Sequence, residues 1–200
     1  MSRVRLVVWG LSAVLALGLA IATATRAFGG TETLPVLFTV RSFSLIDQDG
    51  RALGDRELRG HPWIASFIFT SCKTACPLLT SQQANVARRL ADVPSIHFVS
   101  ITVDPEHDTA AVLREYGVRH HADFRRWSFL TGEPAVVRGV VEAGFLQPVG
   151  ARETRADGAY DMVHAGRLLL VDGEGRARGL YSLRADDLSA LERDARSLAR

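Results

Sequence analysis

The run Trp63-Ile64-Ala65-Ser66-Phe67-Ile68-Phe69-Thr70 is almost unbroken in apolar character and stops just short of Cys72. An extended chain of that length carries apolar groups on both faces, which suits a central strand covered on both sides. Cys72 and Cys76 follow, and beyond them Leu78, Leu79, Gln82, Val86 and Leu90 fall near helical spacing. Pro77 is well placed in the first turn of such a helix, which is predicted from about Pro77 to Leu90. Both sulfurs therefore sit at a strand-to-helix turn. With Cys76 in the first turn, the helix's positive end and its unpaired N–H groups favour a thiolate there, so an acidic dithiol is expected.

The N-terminus stands apart from this pattern. Arg3 and Arg5 precede a stretch from Leu6 to Thr25 that carries no charge. Twenty such residues are enough to span a bilayer core of roughly 30 Å. Residues 1–28 read as an uncleaved membrane anchor, with a removable signal peptide cut near Ala22-Thr23-Ala24 as the alternative. The basic residues lead, so the N-terminus is expected in the cytoplasm and the remainder in the periplasm or outside the cell. Residues 29–37 read as a linker, and 38–200 as one domain with ample length for a packed core. The formal net charge is +2, with acids and bases interspersed. No run of like charge suggests a nucleic-acid partner.

Along the domain, Phe43 to Arg51 predicts a hairpin with a Gly-containing turn, and Leu53 to Gly60 a single helical turn. Ile96 to Val103 and Trp127 to Leu130 predict strands. The turn Asp104-Pro105-Glu106-His107-Asp108-Thr109 delivers Asp108 as the N-cap of a helix reaching about Tyr116. Ala135 to Ala143 predicts another helix, and Gln147 to Tyr160 a long loop or irregular hairpin. Arg167 to Val171 forms a strand that Gly179 to Leu183 can join. Asp186 to Leu198 closes the chain as an amphipathic helix. Strands alternating with helices imply an α/β sandwich of three layers around a mixed sheet. A dithiol at a strand-to-helix turn in that pattern points to a thioredoxin-like fold.

Two chemistries are open to the sulfurs. A disulfide across so short a loop removes little chain entropy, which weakens a purely structural reading. Two thiolates at i and i+4 can converge on one ion, and soft sulfur selects copper(I). A third ligand is then expected from the six histidines. His164 is the candidate, because it begins an apolar strand directly after the long loop, whereas His61, His97, His107, His120 and His121 have ordinary structural readings. Thiol–disulfide exchange is the rival, since an i, i+4 pair brings Cα atoms within about 6 Å, near enough for a bridge. Met162-Val163-His164-Ala165 lacks the proline that a dithiol oxidoreductase presents to its substrate. Thr70-Ser71-Cys72 also lacks the spacing of a peroxide-reducing cysteine. Lys73, the chain's single lysine, lies between the cysteines and reads either as an exposed residue or as a cation beside the thiols.

Four blocks carry a resemblance to a known family. They are Phe67-Ile68-Phe69-Thr70-Ser71-Cys72-x-x-x-Cys76-Pro77, Ser100 to Thr109, Trp127-Ser128-Phe129-Leu130-Thr131-Gly132, and Val163-His164 before Leu170-Val171-Asp172. In this order and spacing the chain resembles the SCO/SenC family of membrane-anchored, thioredoxin-like copper chaperones, from about Phe43 to the last helix. The resemblance implies a copper site built from Cys72, Cys76 and His164. It implies delivery of copper to the dinuclear centre of cytochrome c oxidase subunit II, or reduction of that centre's cysteines so that it can be loaded. Many members carry an acidic residue before the histidine and Ser or Thr after it; here these are Val163 and Ala165.

Overall fold

All six residues of the strand Trp63–Ile68 are buried, as the doubly apolar run requires. The computed structural model describes residues 34–73, 75–148, 150, 152–154, 160–162 and 166–200. The membrane anchor and most of the linker expected from the sequence lie outside the described residues. Among the described residues no helix is long and apolar enough to cross a membrane.

In chain order the elements are β1 (Phe38–Thr39), β2 (Ser44–Ile46), β3 (Ala52–Gly54), α1 (Asp55–Leu58), β4 (Trp63–Ile68) and α2 (Ala75–Arg89). They continue with β5 (His97–Thr102), α3 (Ala110–Arg119), β6 (Trp127–Leu130), α4 (Pro134–Gly139) and a π-turn (Val140–Gly144). The chain ends with β7 (Arg152–Thr154), β8 (Tyr160–Met162), β9 (Leu168–Val171), β10 (Arg176–Tyr181) and α5 (Ala185–Leu198). The main sheet has the order β1-β10-β9-β4-β5-β6. β4, β5 and β6 are parallel, while β9 joins β4 antiparallel, so the sheet is mixed as expected. β2 and β3 form the expected hairpin, and β7 and β8 pair antiparallel.

Alternation along β4 separates two covered faces. Ser66 faces α2: its hydroxyl meets Ser100 Oγ at 2.9 Å, and Gln83 of α2 donates to the Ile64 carbonyl. Trp127 donates to the same Ser100 oxygen, and Tyr116 of α3 packs on Phe129. α5 joins this side through the Arg89–Glu192 ion pair. On the other face, Phe145 packs edge-on against Trp63 and Phe67, and Phe43 adds to the cluster. The polar groups buried between β4, β5 and α2 thus satisfy one another, as burial demands.

Three expectations need correction. The helix predicted over Ala135 to Ala143 is α-helical only to Gly139 and then widens into the π-turn. Val137, Val141 and Phe145 are all buried and spaced by four, more than an α-turn of 3.6. A wider turn keeps them on one face, and Gly139 offers little helical resistance to it. Asp108 is not the N-cap of α3; Thr109 is, accepting from the Val112 N–H. Finally, α2 starts at Ala75, two residues before Pro77. The missing Pro77 N–H costs nothing there, because first-turn N–H groups have no partner within the helix.

The substitution Phe145→Ala should lower the unfolding free energy by about 3–5 kcal/mol in urea denaturation, the usual cost of deleting a buried phenylalanine. A loss under about 1 kcal/mol would show that this ring does not anchor the face it covers.

Candidate functional site

Parallel strands β4 and β5 run together to the Ile68–Thr102 pair, and the Val103 N–H makes a last bond to the Ile68 carbonyl. Beyond it the chain from β4 turns at once, closed by the Cys72 N–H on the Phe69 carbonyl at 3.2 Å. α2 then begins, with Cys76 in its first turn. The Cys76 N–H donates to Cys72 Sγ at 3.3 Å, so the geometry brings the two sulfur-bearing residues together across the helix start. Both cysteines are thiols, with Cys76 fully buried and Cys72 6% exposed. Lys73 between them is exposed, in line with its bland reading.

The acidity expected of Cys76 is overturned. Burial pushes its thiol up, beyond the ordinary range for cysteine, and the negative charges of Cys72 and Asp108 add to the effect. A backbone hydrogen bond from Phe69 pulls the other way without prevailing. The helix's first-turn N–H that was expected to favour Cys76 points instead at the sulfur of Cys72.

One residue that sequence reasoning assigned elsewhere turns out to border this turn. Asp108 is fully buried, and its carboxylate accepts from the Thr70 N–H at 3.0 Å, the Thr70 hydroxyl at 2.5 Å and the Thr102 hydroxyl at 2.5 Å. Burial raises its pKa and Asp104 adds to the rise, while the bonds from Thr102 and Thr70 oppose it. Tyr116 of α3 reaches the cysteine-bearing helix, its hydroxyl 2.8 Å from Thr80 Oγ1 on α2. Neither contact had a local signal, since Thr70 and Asp108 are 38 residues apart and Thr80 and Tyr116 are 36 apart.

The histidines divide as follows. His164 lies outside the described residues, as do Val163 and Ala165; β8 ends two residues before it. His61 and His97 pack ring to ring at 5.0 Å by the entrances of β4 and β5. A strand of six residues, roughly 20 Å, separates that end from the cysteines. Burial lowers the His97 pKa, with His61 and Arg126 contributing. His120 packs on Tyr116 at 4.5 Å, and burial lowers its pKa as well. Among the described residues, one group of three metal-ligating side chains has its donor atoms within 4.8 Å: Asp104, Glu106 and His107. Its oxygen-rich set is harder than a pair of sulfurs. The turn itself is built by backbone bonds from the His107 and Asp108 N–H groups to the Asp104 carbonyl, as expected of a turn, while the helix cap falls to Thr109.

The donor chemistry at Cys72 and Cys76 fits a soft cation, which the two sulfurs would hold in common. A reversible disulfide is the other chemistry open to a pair in which the Cys76 N–H stands 3.3 Å from Cys72 Sγ.

Comparison with known proteins bears on that choice. The SCO1/SenC family model matches residues 32–199. A SCO1 protein homolog of Bacillus subtilis is 29% identical over 158 residues, covering 78% of this chain and 80% of the relative. BsSco, a member of the Sco family of cytochrome c oxidase assembly proteins in which a disulfide switch is identified, superposes with a TM-score of 0.70. It is 26% identical, with 83% of this chain and 96% of that one covered. Bradyrhizobium japonicum ScoI with copper bound superposes with a TM-score of 0.66 at 26% identity, covering 80% of this chain and 99% of that one. The mixed α/β, thioredoxin-like architecture is common to them.

Burial of Cys76 has a direct chemical readout. In the metal-free Cys72→Ser protein at pH 8, iodoacetamide should modify Cys76 at least about tenfold more slowly than in the urea-unfolded chain, because the thiolate is the nucleophile. Equal rates would mean that the thiol is neither covered nor held protonated.

Proposed function

The chain belongs to the SCO1/SenC family, and from that premise we propose that Cys72 and Cys76 bind copper for the assembly of cytochrome c oxidase. The observation that carries this reading is the pair of buried thiols at one helix start, with the Cys76 N–H 3.3 Å from Cys72 Sγ. Soft sulfurs in a dry setting select a soft ion, and the relative from Bradyrhizobium japonicum holds copper in a like fold. Copper is the cargo here. In this reading His164 supplies the third ligand, and the recipient is the dinuclear copper centre of subunit II. The N-terminal apolar segment ties the chain to the membrane, with the domain in the periplasm or outside the cell.

Thiol exchange on the recipient is the second reading, favoured by the nearness of the two cysteines and by the disulfide switch of BsSco. The Cys72 and Cys76 thiols would give two electrons and two protons to the recipient's disulfide, becoming a disulfide while the recipient becomes a dithiol. Incubating the reduced protein with an oxidised subunit II domain tests it: new thiols on the recipient support it, and none removes it.

Titration of the full-length, reduced protein with copper(I) under anaerobic competition tests the first reading. One copper per chain is expected, lost in Cys72→Ser and weakened in His164→Ala. No binding at all would sink the reading, and unchanged binding in His164→Ala would remove that ligand.

The pH dependence has a definite sign. Burial raises the Cys76 thiol, so between pH 6 and 8 it keeps its proton until copper displaces it. Apparent copper(I) affinity should therefore rise by at least about tenfold per pH unit, one proton being released for each ion bound. A flat profile would mean that Cys76 does not bind as a thiolate.

A further inference from the structure

The cysteine turn is held from outside by a residue that carries no sulfur. Past the Val103–Ile68 bond the β4 and β5 chains separate, one into the cysteine turn and the other into the acidic turn. The Asp108 carboxylate spans the gap. It takes both the N–H and the hydroxyl of Thr70, and the hydroxyl of Thr102 at the end of β5. Thr102 is in turn fixed, since its hydroxyl accepts the Asp104 N–H at 2.9 Å. The Asp108 N–H is bonded to the Asp104 carbonyl, so the carboxylate is held at both ends. Thr70 lies inside the Phe69–Cys72 turn, two residues from the first sulfur. Short bonds to a carboxylate are stronger than neutral ones, and a fully buried acceptor has no water to replace a lost donor.

We infer that Asp108 is a positioning residue for the dithiol: through Thr70 it sets the turn that aims Cys72 at the start of α2. This rests on the reading of Cys72 and Cys76 as the copper-binding pair. In this role Asp108 acts through Thr70, whose N–H and hydroxyl it accepts. Its part is to fix where the first sulfur stands relative to the second. Residues that orient metal ligands in this way typically change affinity by about 10–100-fold when replaced.

The test uses the full-length chain in four versions besides wild type: Asp108→Asn, Thr70→Val, Thr70→Ser and Thr102→Val. Three quantities are measured: copper(I) affinity by anaerobic competition, the ratio of Cys72 to Cys76 alkylation rates in the metal-free protein, and the melting temperature. Asp108→Asn and Thr70→Val should weaken copper(I) binding by at least about tenfold and change the alkylation ratio. Thr70→Ser, which keeps the hydroxyl, should bind within about threefold of wild type, well inside the effect of a lost positioning contact. Thr102→Val should give an effect of the same direction and smaller size, because Thr70 keeps its bonds. If Asp108→Asn does not fold, Thr70→Val decides. Lower melting temperatures with wild-type affinity and an unchanged ratio would make Asp108 a structural residue only and overturn the inference. Should wild type itself fail to bind copper(I), the functional reading falls, while the alkylation ratio still decides whether Asp108 sets the turn.

Discussion

The parallel pairing of β4 with β5, from Trp63–His97 to Ile68–Thr102, is the constraint on which the site depends. Parallel neighbours need a crossover, and α2 supplies it, starting at the end of β4 where the cysteines stand. In open α/β sheets the loops beyond the carboxyl ends of the strands are where ligands are met. The same pairing brings the exit of β5 beside the exit of β4. Asp108, which follows β5, can therefore reach Thr70, which follows β4. A shift of one residue in this register would reverse the faces of Ser66 and Phe67. It would set a hydroxyl among the aromatic rings and a ring against Gln83.

At the sulfurs two physical effects oppose one another, and their sizes decide the outcome. The positive end of a helix stabilises a nearby anion by about 0.3–1 kcal/mol at an exposed site. Full burial shifts a titratable group by as much as about 3–5 pKa units, each unit being about 1.4 kcal/mol. Cys76 is fully buried, so desolvation prevails and its thiol keeps the proton. The helix start is not idle, since its N–H serves Cys72. Sequence position alone assigned the helix effect to the wrong sulfur. It located Cys76 in the first turn without showing that the turn is covered.

Local periodicity made most of the fold legible. Trp127–Leu130 forms its strand as predicted, and the apolar run over Trp63 to Thr70 is a central strand as its two-faced composition required. The CxxxC pair and its junction were readable because strand, turn and helix are consecutive in the chain. The π-turn escaped because Val137, Val141 and Phe145 depart from α-spacing by less than one residue per turn. Asp108 escaped for a different reason. A short acid before a helix is ordinarily an N-cap, and Thr109 next to it is equally suited. Only the tertiary pairing of β4 with β5 shows that Asp108 has a better partner in Thr70 than in its own helix.

The protonated, buried state of Cys76 also relates the two proposed chemistries. Thiol exchange proceeds through the thiolate, so a covered thiol reacts slowly with stray oxidants while the site is empty. A soft cation changes that balance by displacing the proton and supplying the charge that burial had made costly. In the exchange reading the roles of the sulfurs are unequal. Cys72 is the less buried and already accepts an N–H bond, which places it to attack, whereas Cys76 behind it is placed to close the disulfide. Both chemistries then ask the same thing of the protein: that Cys72 be held at a set distance from Cys76. The buried carboxylate of Asp108, through Thr70, is where the fold meets that demand.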